Sequence, residues 1–232
     1  MNFRRPSFRR TRTLRYDAAV VVDLETTGFS PQNDRITEIG AVKIVDGAPD
    51  VYFEALVEPD PTGRVFVLPQ VTQKTGITEA LLREKGVPLR DALIGLETFA
   101  NCGGDNVLYV GHNFENFDGV FLGNARIQVG LPTTRLSIRS RNAWDTLYGE
   151  RYLLREGNRP GNPFNDLDNA YMNRNVQGLP ASLDVVVGRY GISAPKGIGR
   201  GRHSALTDAA LARLIFKLQR TKWKTFEFRP PR

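Results

Sequence analysis

The chain carries one cysteine, Cys102, and two histidines, His112 and His203, in 232 residues. A single thiol cannot close an internal disulfide. With so few thiols and imidazoles, a Cys/His zinc cluster or a histidine-rich metal centre is excluded. This scarcity points to a reducing, intracellular and therefore cytoplasmic location. No apolar run approaches the roughly 20 residues that a bilayer span needs, so no membrane role is expected. Acids are missing altogether from residues 1–15, which hold six arginines.

What is present is an ordinary globular composition, 41% hydrophobic and 25% charged, long enough for one large domain with a buried core. The formal charge of +7 is unevenly spread. Residues 1–15 contribute +6, residues 217–232 contribute +5, and the body between them nets −4. Basic ends on an acidic body suggest an anionic partner. The N-terminal arm, residues 1–16, fits three readings: a solvated tail, a nucleic-acid contact, or an organellar presequence. The last is weakened by the few apolar residues available for an amphipathic face.

Hydrophobic patterning divides residues 17–220 into strands, then alternating strands and helices. Asp17–Gly28 reads as a strand buried on both faces. Ile36–Val45 and Val51–Val57 read as a hairpin around Asp46-Gly47. Helices are expected over Glu79–Glu84, Asp91–Asn101, Asn116–Val129, Leu183–Tyr190 and Ser204–Gln219. A short strand is expected at Val107–Val110, and residues 142–148 read as a strand end running into a helix. Residues 155–180, rich in Asn, Gly, Pro and Arg, read as an inserted loop. Its Arg155, Arg159, Arg174, Tyr171 and Phe164 fit either a strand-tracking surface or a plain excursion. Together these elements predict one α/β domain with a mixed sheet and basic terminal arms.

Four acids stand out. Asp23 and Glu25 are two apart at a strand end, so both side chains point to one face while Val22 and Leu24 point to the other. Alone, that pair also fits a strand end with two solvated acids. Asp118 adds weight because Phe121, Leu122, Ala125 and Val129 follow at +3, +4, +7 and +11, placing the acid at the head of a buried stripe. Asp208 does the same for Leu211, Ile215 and Leu218. A helix dipole explains acids in a first turn but not why both choose the inward face. With no Lys or Arg at matching positions, divalent metal is the expected counter-charge, and hard oxygen ligands favour Mg²⁺ or Mn²⁺ over zinc. His203 precedes Ser204, the expected N-cap of the last helix. It would overhang these acids from a Gly-rich loop, where a neutral imidazole is a competent general base toward an attacking water.

Three segments carry a resemblance: Val21–Gly28 (VVDLETTG), His112–Asp118 (HNFENFD) and His203–Asp208 (HSALTD). With the supporting stretches Arg35–Ala41 and Thr75–Thr78, they resemble the motifs of the DEDDh (DnaQ-like) exonuclease superfamily. That group includes the proofreading epsilon subunit of bacterial replicative polymerase, ribonuclease T and oligoribonuclease. The resemblance covers roughly residues 17–220. It implies a ribonuclease-H-like fold with a five-stranded sheet and a metal-dependent 3′-to-5′ exonuclease releasing nucleoside 5′-monophosphates. Asp23, Glu25, Asp118 and Asp208 would hold two divalent ions, Mg²⁺ or Mn²⁺, and His203 would act as general base. Leu24, Thr26, Asn113, Phe117 and His112 would contact substrate. The His112–Asp118 spacing is one residue longer than the common HNxxFD form. Single-stranded or frayed DNA 3′ ends are the expected substrate, with RNA the alternative. A DNA polymerase or replication partner would dock through the basic tail, residues 221–232. A catalytically silent nucleic-acid-binding module on the same fold is the rival reading. The presence of all four acids and the histidine argues against it.

Overall fold

The computed structural model describes residues 14–228, except 60, 64, 134–135, 158–160, 202 and 224–225. In chain order the elements are β1 (Leu14–Tyr16), β2 (Ala18–Thr26), β3 (Ile36–Ile44), β4 (Val51–Leu56), α1 (Pro69–Thr75), α2 (Glu79–Lys85) and α3 (Leu89–Asn101). Then follow β5 (Val107–Gly111), α4 (Asp118–Gln128), β6 (Ala143–Asp145), α5 (Thr146–Glu156), α6 (Pro163–Met172) and α7 (Arg174–Gln177). The last are α8 (Leu183–Tyr190), α9 (Ala205–Trp223) and β7 (Phe226–Phe228).

Five strands form a mixed sheet in the order β4-β3-β2-β5-β6. The hairpin is present: β3 runs antiparallel to both β2 and β4, whereas β5 and β6 run parallel to β2. Two hydrophobic cores cover the faces. Ala19 and Val21 pack beneath α9 with Leu206, Ala209 and Phe216. Val20, Val22 and Leu24 pack on the opposite face with α3 and α4, through Leu93, Leu96, Phe121 and Leu122. The alternation expected for β2 is therefore real, and each face is closed by helices. Among the described residues, no helix is long and apolar enough to cross a membrane.

Three expectations are corrected. The segment 155–180 is not a loop. It holds α6 and α7, and Phe164, Leu167 and Ala170 bury into the α9-side core. These residues lie three apart on one helical face, behind an Asn162 cap that accepts the Asn165 N–H and a Pro163 in the first turn. The Asn-, Gly- and Pro-rich flanks concealed that stripe. Phe164 is thus a core residue and no stacking platform; Arg159 lies outside the described residues. Second, the inner ends of the two basic arms belong to the fold, because β1 and β7 pair in parallel. Most of the arms, residues 1–13, 224–225 and 229–232, lies outside the described residues. Third, Leu218 is exposed, and the α9 stripe continues through Gln219 and Trp223 instead. Eleven residues return to within about 20° of the starting face, whereas ten fall about 80° short.

Candidate active site

The site forms where β2 reaches the ends of α4 and α9. Residues directly opposed in an antiparallel pair share a face, so Asp23 stands beside Gly40 and Glu25 beside Glu38. A Cβ on Gly40 would collide with the backbone of Ala205 and Leu206. Glycine there lets the first turn of α9 rest directly on β3. Glu38 then accepts the Ala205 N–H at 3.0 Å, and Ser204 Oγ, at the expected cap position, accepts the Thr207 N–H at 3.4 Å. Seated this way, α9 brings Asp208 to the β2 acids. Carboxylate oxygens of Asp23, Glu25 and Asp208 lie within 4.8 Å of one another.

Asp118 arrives from the other face of the sheet. It opens α4 with Phe121, Leu122 and Ala125 buried behind it, and its Oδ1 accepts the Leu24 N–H at 3.0 Å. Two helices on opposite faces thus each deliver one acid to the end of a single strand.

Electrostatically the cluster is under stress. Asp23 keeps some surface toward the cavity, yet enough protein crowds its carboxyl to push it well above the ordinary range. The charges of Asp118, Asp208, Glu25 and Glu38 push the same way. Glu25 is pushed up to about 8 by burial, then by Asp208 and Glu38. Asp118 is also driven well above the usual range, by burial first. The expectation that no cation faces these acids needs correcting. Lys74, on α1, and Arg200, in the Gly-rich loop, both act on Glu25 to lower its pKa. Arg200 also pairs with Glu38 at 2.7 Å. Even with both cations, Glu25 remains raised.

The acids open into a cavity of about 540 Å³. Of the residues expected at the site, Leu24, Thr26, His112, Asn113, Phe117 and His203 line it together with Asp23, Glu25 and Asp208. Asp118 sits behind them, buried. His203 stands at the cavity with a positive φ of 64°, its Nδ1 3.9 Å from Asp208 Oδ2. The Thr26 hydroxyl donates to Gly28 O at 2.6 Å and ties the β2 end to the following turn.

His112 is committed elsewhere. Its Nε2 lies 2.7 Å from Ala181 O, which only accepts, so Nε2 carries a proton and donates. Its Nδ1 lies 2.9 Å from Thr146 Oγ1. His112 therefore ties β5 to α5 and the chain before α8, forming a cavity wall with both ring nitrogens engaged.

Sequence reasoning missed several members of the site. Phe29 is 88% exposed, lines the cavity, and has its ring 6.4 Å from Phe117. Gln70 and Lys74 come from α1, whose sequence PQVTQKT shows no apolar stripe to betray a helix. Asp145 is fully buried and accepts the N–H groups of Asn113, Glu115 and Leu147 at 2.9–3.0 Å. It holds the loop that leads into Asp118. The one available signal was its place before a predicted helix, where Asp is a common cap.

Comparison with known proteins completes the picture. The family described as Exonuclease (RNase_T) matches residues 20–216. A DNA polymerase III PolC-type from Clostridium perfringens is 41% identical over 97 residues, covering 42% of this chain and 6% of that protein. The DNA polymerase III subunit epsilon of Aquifex aeolicus is 34% identical over 96 residues, 41% of this chain and 43% of that one. Among solved structures, E. coli exonuclease I in complex with a dA16 oligonucleotide superposes with a TM-score of 0.66 at 21% identity, covering 90% of this chain and 42% of that one. The α/β, ribonuclease-H-like fold is as expected. The chain spans less than half the length of each of these relatives.

Proposed function

Because the chain belongs to the RNase_T exonuclease family, with the acid set of its DEDDh type, we propose that it removes nucleotides from the 3′ ends of single-stranded or frayed DNA. The products would be nucleoside 5′-monophosphates. The observation that carries this reading is the convergence of Asp23, Glu25 and Asp208 within 4.8 Å at a cavity, with Asp118 behind them.

The residues fit a divalent-metal centre. Their donors are all hard oxygens, and burial with mutual repulsion raises the pKa of Asp23, Glu25 and Asp118. Asp23, Glu25, Asp118 and Asp208 would hold the ions, two Mg²⁺ or Mn²⁺. Bound there, the ions would neutralise the acids and polarise the phosphodiester.

The protein's own groups do the rest. His203, as a neutral imidazole, takes a proton from the attacking water. The water oxygen bonds to phosphorus, the bond to the 3′-oxygen of the preceding nucleotide breaks, and that oxygen gains a proton. Thr26 and Leu24 position the terminal sugar; Phe117 and Phe29 offer ring faces to the base. His112 and Asp145 hold the wall and loop that carry Asn113 and Phe117. The DNA polymerase III relatives and the oligonucleotide-bound exonuclease I support DNA as the substrate. The same relatives support a replication context, with the basic tail as the docking segment and the six N-terminal arginines as a guide for the polyanion.

The test uses 5′-labelled single-stranded DNA and matched RNA, each with Mg²⁺ or EDTA. A DNA ladder shortening from the 3′ end, absent in EDTA, is expected. Faster loss of RNA would reassign the substrate. Intact oligonucleotide that is nonetheless retarded in a gel would replace the enzyme with a silent binder.

A further inference from the structure

Beside the acidic cavity lies a second groove, of about 590 Å³, and Asn113 lines both. Its floor is Tyr148, buried and packed edge-on against Tyr171 with ring centroids 5.1 Å apart. Arg151 holds its guanidinium 5.5 Å above the Tyr148 ring. Asn116 donates from Nδ2 to the Tyr148 hydroxyl at 2.6 Å, and Met172, 59% exposed, forms the outer edge. Among the described residues lining it there is no acid, in contrast to the cavity next door. The groove is built jointly by α5 and by α6–α7, the segment that the sequence presents as an insertion.

We propose that this groove is the subsite for the nucleotides that precede the 3′-terminal one, so that α6 and α7 set how strongly the enzyme grips a strand rather than how fast it cleaves. This rests on the exonuclease reading above. Once the terminal nucleotide occupies the acidic cavity, the chain on its 5′ side must leave across the rim, and Asn113 is the shared boundary. A groove there needs a cation for the phosphates, ring and thioether surface for the bases, and amide donors for their edges. Arg151 and Tyr171 with Met172 supply the first two, and Gln177 supplies the amide N–H that is left beside the one it donates to Tyr171 O. Such surfaces accept every base, which suits an enzyme that must process whatever sequence it meets.

The experiment compares two substrates on the full chain. The p-nitrophenyl ester of thymidine 5′-monophosphate fills only the acidic cavity, whereas a thymidine hexadeoxynucleotide also reaches the groove. Arg151→Ala should raise KM for the hexanucleotide about five- to tenfold with little change in its kcat, and leave the ester unaffected. Arg151 also donates to Leu179 O, so an exposed position provides a second variant. Met172→Glu should raise the hexanucleotide KM most at low salt, with the increase shrinking as salt screens the new charge, while Met172→Gln, which lacks that charge, should raise it far less. Equal changes on both substrates, or none on either, would overturn the groove and leave the exonuclease reading standing. A wild type inactive on both would overturn that reading, and the subsite with it.

Discussion

Asp145 and Asp23 are both acids enclosed by protein at the ends of strands in the same sheet, but their surroundings differ. Asp145 accepts the backbone N–H groups of Asn113, Glu115 and Leu147, and these, with the Tyr148 N–H, offset in part the burial that pushes it up to about 6. Around Asp23, burial is joined by Asp118, Asp208, Glu25 and Glu38, and these largest influences all raise it. A carboxylate given donors organises the chain around it. One whose largest electrostatic influences are other carboxylates is suited to a cation from outside the chain. The contrast separates an architectural acid from one kept for chemistry, although both are Asp in a buried context.

The comparison can be broken most forcefully by Asp23→Asn. Turnover should fall by about a thousandfold or more, since a ligand is lost. In EDTA the melting temperature should hold or rise, because a buried repulsion is relieved. A variant that keeps wild-type turnover would remove Asp23 from the metal centre. His203→Gln comes next. It should lower kcat by about a hundredfold, the lower end of general-base contributions. Stabilisation by added Mn²⁺ in a thermal melt should be unchanged, since the histidine is assigned to the water and not to the ions. Asp145→Asn inverts the pattern of Asp23→Asn. An amide nitrogen would face N–H donors, costing about 1–3 kcal/mol of stability with or without metal. A calorimetric melt showing no loss would mean that the three hydrogen bonds do not carry the loop.

Much of this contrast was legible in the residues themselves, and where it was not the reasons are physical. Strand β2, the hairpin and the inward stripes behind Asp118 and Asp208 follow from short-range periodicity, which survives into the fold because it is what the core buries. The D-x-E spacing likewise fixed a shared face before any contact was known. Lys74 and Phe29 reach the cavity from α1 and a turn, and Arg200 reaches Glu38 from a Gly-rich loop, where no periodicity marks a direction. The β1–β7 pairing joins residues more than two hundred positions apart, which no local window detects. Helix α6 was hidden by its flanks, since Asn, Gly and Pro read as loop even where they serve as cap and first turn.

The central claim, that the site acids are incomplete without divalent cations, is tested most directly by melting temperature against pH with and without Mn²⁺. Glu25 ordinarily titrates at 4.5 and is held at about 8 in the folded metal-free chain. Between these values the folded state binds more protons than the unfolded one, so stability falls as pH rises through that window. Asp145, at about 6, adds to the fall only below that value. From pH 6 to 8 the slope therefore belongs to Glu25 and its neighbours, including Glu38 at about 7. The account predicts a melting temperature that declines over this interval in EDTA and recovers with Mn²⁺, most strongly at pH 8. Superimposable profiles with and without Mn²⁺ would contradict it.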